Sequence, residues 1–436
     1  MQKSECKMMN DKKQSLIHHS AFCILTCYHA RLMAERISLM IVAGEASGDA
    51  HAASLVRALR ERAPQTDLQF FGATGREMRA VGVEPTVRSD DLSILGLAEI
   101  GRALPRFWRA YGALKRAAIE RAPDAVVLVD WPDFNLRLAR ALRSRGTRVI
   151  YYISPQLWAW RSHRVRSIRR DVDLLLTILP FEKEWYDARG VHHVEFVGHP
   201  LAGAVHARMS REEFCLTHEM DVKRPIIALL PGSRHKELER ILPPMLEAAS
   251  LLHEKRPDIQ FALALAPGRS LEEAEAHLSN ARRSGLALPL TLRIVQNETR
   301  EALCAADAAA ITSGTATLEA ALLCVPQVIV YKESLLNWHI LGSLINTEHY
   351  GLTNLVAGER LATELIQNDL TGERLAEELF ALLDEERNRQ FRERLNDATG
   401  KLGAGGASLR AAEAVLRAVR AWKRTGKRVE PFQSRC

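Results

Sequence analysis

Short apolar runs, glycine turns and amphipathic stretches follow one another along the chain in the order expected of strands alternating with helices. Ile37–Val42 (ISLMIV) is a continuous apolar run. The turn Gly44–Gly48 follows it, and Ala50–Arg62 has helical spacing, so the three predict a βα unit. The same pattern predicts strands at 68–71, 125–129, 148–153, 174–178 and 194–197, with a helix over 136–145. It restarts near residue 222, with strands at 226–230, 261–266, 290–295, 308–311 and 328–331 and a helix at 317–323. Uninterrupted apolar strands separated by helices predict parallel sheets covered on both faces. The predicted fold class is therefore α/β, with two Rossmann-like, doubly wound parallel-sheet domains at 36–205 and 222–395 facing a cleft.

The first 35 residues depart from this pattern. They carry three cysteines, show no sustained period, and are expected to be a disordered extension. Ala21–Tyr28 is a short apolar run, but acidic Glu5 and Asp11 precede it and no clean small-residue cleavage site follows.

Composition narrows the function classes. Of the 436 residues, 47% are hydrophobic and 26% charged, enough apolar material for sizeable cores. No run approaches the ~18–20 apolar residues of a membrane span. Sixty basic residues against 53 acidic give a net charge of +7, which favours anionic partners. No recognition-helix, zinc-finger or RNP-type pattern accompanies that charge, so nucleic acid is not an expected partner. The seven cysteines form no C-x-x-C, so reduced thiols are expected rather than a disulfide framework or zinc site.

Ligands of parallel α/β sheets bind beyond the carboxyl ends of the strands. Polar clusters stand at five such ends: Gly44–Asp49, Asp130–Asn135, Ser154–Trp160, Pro231–Arg234 and Ser313–Glu319. The first loop is neither G-x-G-x-x-G nor a P-loop, so a dinucleotide fold fails on its residues. Ser47 and Asp49 suit helix capping, whereas Glu45 has no such structural excuse and is expected to face the cleft. Asp130 follows a fully apolar strand, so its carboxylate is a candidate general base with a raised pKa. Asp133 is the alternative base, or a cap of the next helix. Pro132 disfavours helical backbone at Trp131 and predicts a stiff turn. Within Gln156–Arg164, Trp158 and Trp160 beside arginines suit sugar or phosphate contact, or interface packing.

Ser233 and Arg234 end a glycine turn that leads into a helix, where N–H groups and a guanidinium can meet one anion. Ser313, Gly314 and Thr315 precede a second helix N-terminus suited to a diphosphate. Glu319, about a turn further on, can accept from sugar hydroxyls or make a surface pair. No metal-binding spacing is present, and neither metal nor cofactor is expected. On the helix predicted over 104–118, Phe107, Trp108, Tyr111 and Leu114 share one face beside Arg106, Arg109, Lys115 and Arg116. That face suits either an anionic membrane, with Trp108 and Arg109 at the contact, or packing into the core.

Seven segments then occur in order: AGEASGD, DWPDFN, SPQLWAWR, LPFE, VGHPLA, LLPGSR and SGTATLE. In order and approximate spacing they resemble the lipid-A-disaccharide synthase family over roughly residues 37–420. The resemblance implies a GT-B fold, with C-terminal helices at 396–424 crossing back to the first domain. It implies an inverting glycosyltransferase that joins UDP-2,3-diacylglucosamine to 2,3-diacylglucosamine 1-phosphate, giving the β(1→6) disaccharide 1-phosphate and UDP. The place implied is cytoplasmic, peripheral at the inner membrane, with the first domain on the acceptor and membrane side and the second holding the donor. A homodimer is left open. Carried over by residue, Glu45 and Ser47 match the first loop, and Asp130 the essential aspartate. Arg234 falls on the diphosphate, and Ser313, Gly314, Thr315 and Glu319 on the nucleotide. Asn354 is assigned to the donor side, although Leu352-Thr-Asn354 replaces a more usual Leu-Pro-Asn. Trp131 stands where a small residue is usual and is placed, with Trp158, on the acceptor side. The rival readings are another UDP-sugar transferase, a UDP-sugar epimerase or a non-catalytic binding module.

Overall fold

The structure is a computed structural model that describes residues 35–92, 100–334 and 347–425. The extension read at 1–35 lies outside the described residues apart from Glu35.

Thirteen strands form among the described residues. They are β1 (Arg36–Ala43), β2 (Asp67–Thr74), β3 (Glu84–Arg88), β4 (Ala125–Val129), β5 (Val149–Tyr152), β6 (Leu174–Thr177), β7 (Val194–Phe196), β8 (Ile226–Leu230), β9 (Gln260–Leu265), β10 (Leu292–Gln296), β11 (Ala308–Thr312), β12 (Gln327–Tyr331) and β13 (Glu364–Ile366). Helices of mostly amphipathic sequence connect them.

The chain divides into two compact units. Of the described residues, the first takes those from Glu35 to Tyr152, residues 171–174 and those from Ala411 to Thr425. Its strands lie in the order β3-β2-β1-β4-β5. Central β1 pairs in parallel with both neighbours, Leu39 standing opposite Phe70 and Ala125. The strand order reverses between β1 and β4, so the loops that follow these two strands flank the topological switch point. Those loops are Gly44–Asp49 and Asp130–Asn135. Apolar side chains of β1, β4 and β5 fill the core, which is why these strands read as uninterrupted runs. The last helix, Ala407–Thr425, is tied from residue 411 to this unit. Glu413 pairs with Arg62 at 3.0 Å, Arg420 with Glu35 at 2.8 Å and Lys423 with Asp124 at 3.0 Å.

The second unit takes Ile153–Arg170 and Leu175–Arg410. Here β6 pairs in parallel with β7. The remaining strands lie in the order β10-β9-β8-β11-β12-β13. The order again reverses at a central pair, β8 and β11, which places Pro231–Arg234 and Ser313–Thr315 at a second switch point. One face of this sheet packs on the long helix His235–Lys255 and on Gly372–Ala381, with Leu238, Ile241, Leu242, Met245, Leu375 and Leu379 buried between.

Candidate active site

In the first unit, the chain turns off β4 through two consecutive residues in the left-handed region, Asp130 (φ 48°) and Trp131 (φ 51°). Neither is glycine, so both carry backbone strain of the kind that collects at functional sites. The helix Pro132–Arg143 then starts with proline at its first position, where the missing N–H costs nothing. Two side chains hold the strained turn. The Tyr151 hydroxyl donates to the Asp130 carbonyl at 2.6 Å, and the Asn135 amide donates to the same carbonyl at 2.7 Å and to that of Val129 at 3.2 Å. The turn so held carries the Asp130 carboxylate just past the end of β4. Burial pushes its pKa up, the charge of Glu45 adds to that push, and the Trp131 N–H opposes it. A carboxylate of raised pKa at a switch point is equipped to take a proton from a hydroxyl.

Glu45 is the N-cap of the helix Ala46–Arg62, with its carboxylate exposed and free of any capping bond. Ser47 is exposed within the first turn. Capping by Ser47 or Asp49 is therefore corrected. Asp49 is buried and instead accepts from the N–H groups of Gly75 at 2.7 Å, Glu77 at 2.7 Å and Met78 at 3.3 Å, tying down the neighbouring short helix.

Beside Asp130 an aromatic shelf is built from the helices Ile100–Arg121 and Pro132–Arg143. Trp131 stacks on Phe134 at 4.1 Å and 9° between planes, Phe107 stands 5.6 Å from Trp131, and Tyr111 meets Phe134 edge-on at 6.0 Å. Leu114 of the same helical face is fully buried, whereas Trp108 is 55% exposed and Arg109 is exposed beside it. The amphipathic helix thus divides its apolar face between the core, the shelf and solvent.

In the second unit, the ends of β8, β9 and β11 enclose a cavity of about 360 Å³. Ser233, Arg234, Ser313, Gly314 and Thr315 all line it, and Glu237, Thr299 and Thr312 join them. The 82% exposed guanidinium of Arg234 is paired to Glu237 at 3.2 Å. The helix Thr315–Leu322 points its N-terminus at the cavity. The Ser313 hydroxyl donates to the Tyr350 carbonyl at 2.7 Å and so fixes that loop.

Three expected site residues are placed otherwise. Glu319 does not line the cavity and accepts from Arg300 at 2.7 Å. Asn354 is fully buried. Its amide donates to the Ala362 carbonyl at 2.8 Å and to Glu364 at 2.9 Å, while its oxygen accepts from Ala362 N–H at 2.8 Å. Its bonding is consumed within the fold, which removes it from the donor set. Trp158 is buried among Leu179, Ala202, Leu318 and Leu402, and its N–H donates to Glu182 at 3.2 Å. A ring so enclosed cannot serve a membrane or acceptor surface; it packs into the core of its own unit. Arg161 does lie over Trp160, 4.2 Å from the ring centre.

The comparisons decide the family. The family model described as lipid-A-disaccharide synthetase matches residues 39–418. The chain belongs to the lipid-A-disaccharide synthetase family. It is 43% identical over 379 residues to the lipid-A-disaccharide synthase of Trichlorobacter lovleyi, covering 87% of this chain and 96% of that one. Among solved structures, a putative UDP-N-acetylglucosamine 2-epimerase from Listeria monocytogenes aligns with TM-score 0.58 at 16% identity, over 91% of this chain and 99% of its own. MurG of Acinetobacter baumannii aligns with TM-score 0.53 at 16% identity, over 88% and 99%. These two show the fold, which is of GT-B type. Membership of the lipid-A-disaccharide synthetase family makes the chain a glycosyltransferase of lipid A disaccharide formation.

For a chain of the lipid-A-disaccharide synthetase family, two acidic side chains were given no role from the sequence. One is Glu237, whose position three residues after Arg234 is the spacing of a capping box and was a usable signal. The other is Glu182, 1% exposed, which accepts from the Ser154 hydroxyl at 2.7 Å, Trp158 N–H, Ile178 N–H at 3.1 Å and Leu179 N–H at 2.9 Å. Through these bonds LPFE holds the start of the Ser154–Trp160 loop. No helix among the described residues is long and apolar enough to cross a membrane. Among the described residues no group of His, Cys, Asp and Glu is placed to hold a metal ion.

Proposed function

We propose that the chain is an inverting glycosyltransferase that joins UDP-2,3-diacylglucosamine to 2,3-diacylglucosamine 1-phosphate and releases UDP, working at the cytoplasmic face of the inner membrane. In this reading Asp130 takes the proton of the acceptor 6-hydroxyl. The new bond forms between that oxygen and the anomeric carbon, and the bond from that carbon to the diphosphate breaks on the opposite face, giving the β(1→6) product. Arg234, the N–H groups after Pro231 and the N-terminus of the helix Thr315–Leu322 receive the charge developing on the leaving diphosphate. Glu45 and Ser47 stand on the neighbouring loop, Glu45 acting through its charge on Asp130. The first domain (36–205) is the acceptor and membrane side and the second (222–395) the donor side. Trp108 and Arg109 present an aromatic ring and a charge to an anionic lipid surface.

The observation that supports this reading best is the cavity of about 360 Å³ that gathers Ser233, Arg234 and Ser313–Thr315 at one switch point. A second switch point carries the carboxylate of raised pKa. The test is turnover of the two acylated sugars in detergent with EDTA, wild type beside Asp130→Ala. Disaccharide from wild type alone, with UDP binding retained in the variant, is the expected result. Failure of a folded, UDP-binding wild type to make disaccharide would overturn the substrate assignment.

A further inference from the structure

The cavity assigned to the donor already contains an anion, and it belongs to the protein. Glu237, in the first turn of the helix His235–Lys255, turns its carboxylate back onto the loop before it. Oε2 accepts from the Ser233 N–H at 2.9 Å and from the Arg234 N–H at 3.1 Å, and Oε1 accepts from the Arg234 guanidinium at 3.2 Å. These are the same donors that a phosphoryl group would need. The carboxylate is tucked in, with 15% of its side chain exposed, while the guanidinium it holds is 82% exposed. Gly232 makes the arrangement feasible. Its φ is 113°, and a Cβ there would come within 2.5 Å of the Glu237 carboxylate. On the other side of the cavity, Ser313, Gly314 and Thr315 offer a helix N-terminus and no acidic group.

A phosphate entering this cavity meets a carboxylate on its own ligands. It must either displace Glu237 from the two N–H groups and the guanidinium or lie beside it as a like charge. Both routes cost binding free energy; an uncharged side chain removes the like-charge cost and lowers the cost of displacement, because its hydrogen bonds are weaker than those of a carboxylate. An amide at this position still accepts the N–H bonds and still caps the helix, so charge and local structure can be separated by one substitution.

We propose that Glu237 is a built-in competitor for the diphosphate of the donor: it holds the phosphate ligands of this cavity, and it either swings away or stands as a like charge beside the diphosphate when the donor binds. The inference rests on the donor-site reading given above. It also supplies a route for product release, since the returning carboxylate displaces UDP from the same donors.

The experiment is calorimetric titration of the full-length chain, wild type and Glu237→Gln, with UDP and separately with uridine. The expected result is UDP binding tighter by about fivefold or more in the variant, as removal of one like charge next to the phosphate requires. Uridine affinity is expected to stay unchanged, because uridine carries no phosphate to compete. UDP affinity that is unchanged or weakened in the folded variant would overturn the proposal. So would a parallel change in UDP and uridine, the signature of a merely structural cap. Absence of UDP binding in the wild type is a different failure: it removes the donor-site reading itself, and the competitor with it.

Discussion

The indole of Trp131 lies against Gly44, so close that a Cβ on Gly44 would stand 2.1 Å from ring atom Cδ2 and 2.3 Å from Cε3. This contact joins the loops after β1 and β4, the two that carry Glu45 and Asp130. Adding a methyl group at Gly44 forces the ring off the shelf it shares with Phe134 and Phe107. Overpacking of this kind costs about 1–3 kcal/mol. Gly44→Ala is expected to lose most turnover, and Trp131→Ala to restore part of it in the double variant. A double-mutant cycle on kcat/KM and on thermal midpoint checks this; additive losses would show that the ring is not the route.

The raised pKa of Asp130 has two consequences of opposite sign. As a base it must be ionised, so kcat/KM falls as pH drops, with an acid limb above the ordinary aspartate value of about 3.9. Glu45 contributes to the upward shift after burial does, so Glu45→Gln is expected to move that limb to lower pH. For stability, the unfolded chain gives up this proton at a lower pH than the folded chain does. The fold therefore loses stability as pH rises from the ordinary value through the raised one. Asp130→Asn is expected to be more stable than wild type at neutral pH, with the gain vanishing in acid. Urea unfolding across pH measures it, and a gain independent of pH would trace to the left-handed backbone that asparagine tolerates instead.

The sequence made the interior of the fold legible because buried parallel strands are uninterrupted apolar runs. β4 and β8 fall where the pattern places them, and both switch points with their polar loops follow from it. Two edge strands were not legible, whereas the edge strands β7 and β10 were. β3 (EPTVR) contains a proline and exposed ends, and β13 has only three residues with Glu364 among them, so neither presents an apolar run. The site divides in the same way. Backbone-led features such as the turns at Arg234 and Ser313 carry glycine and capping signals that sequence displays. The roles of Trp158, Asn354 and Glu182 depend on which long-range partner each side chain meets, and no local pattern encodes that.

Arg234 is expected to hold the diphosphate rather than the uridine. Charge-assisted hydrogen bonds contribute about 1.5–3 kcal/mol, and the exposure of this guanidinium puts it at the low end, so Arg234→Ala is expected to weaken UDP roughly tenfold. Uridine affinity measured beside it should hold. Equal UDP affinity in wild type and variant would take Arg234 off the diphosphate.

Glu182 is expected to matter through the loop it holds. Truncation to alanine strands the Ser154 hydroxyl, the Trp158 N–H and two backbone N–H groups in a buried setting. Losing a buried network of this kind costs about 3 kcal/mol or more. Glu182→Ala should unfold at distinctly lower urea, followed by tryptophan fluorescence. Glu182→Gln, which keeps one oxygen acceptor but turns an amide N–H₂ towards donors, should fall between. A stability equal to wild type in the alanine variant would mean that water replaces the carboxylate without loss.

Trp108 is, with Ile119, a large apolar side chain of its helix that packing leaves to solvent among the described residues, and it sits at 5.7 Å from Tyr111 with Arg109 next in sequence. An interfacial role predicts that both residues contribute to adsorption on anionic bilayers, the arginine at about 1 kcal/mol near the surface. Trp108→Ser with Arg109→Glu is therefore expected to lower binding to vesicles containing acidic lipid by roughly tenfold or more, since it removes the ring and reverses the charge. UDP affinity should be untouched, because neither residue lines the donor cavity. Sedimentation of the full chain with vesicles, at low and high salt, separates the two contributions: salt suppresses what the arginine supplies and leaves what the indole supplies. Vesicle binding unchanged in the double variant would remove this helix from the membrane surface and leave Trp108 as an exposed neighbour of the shelf.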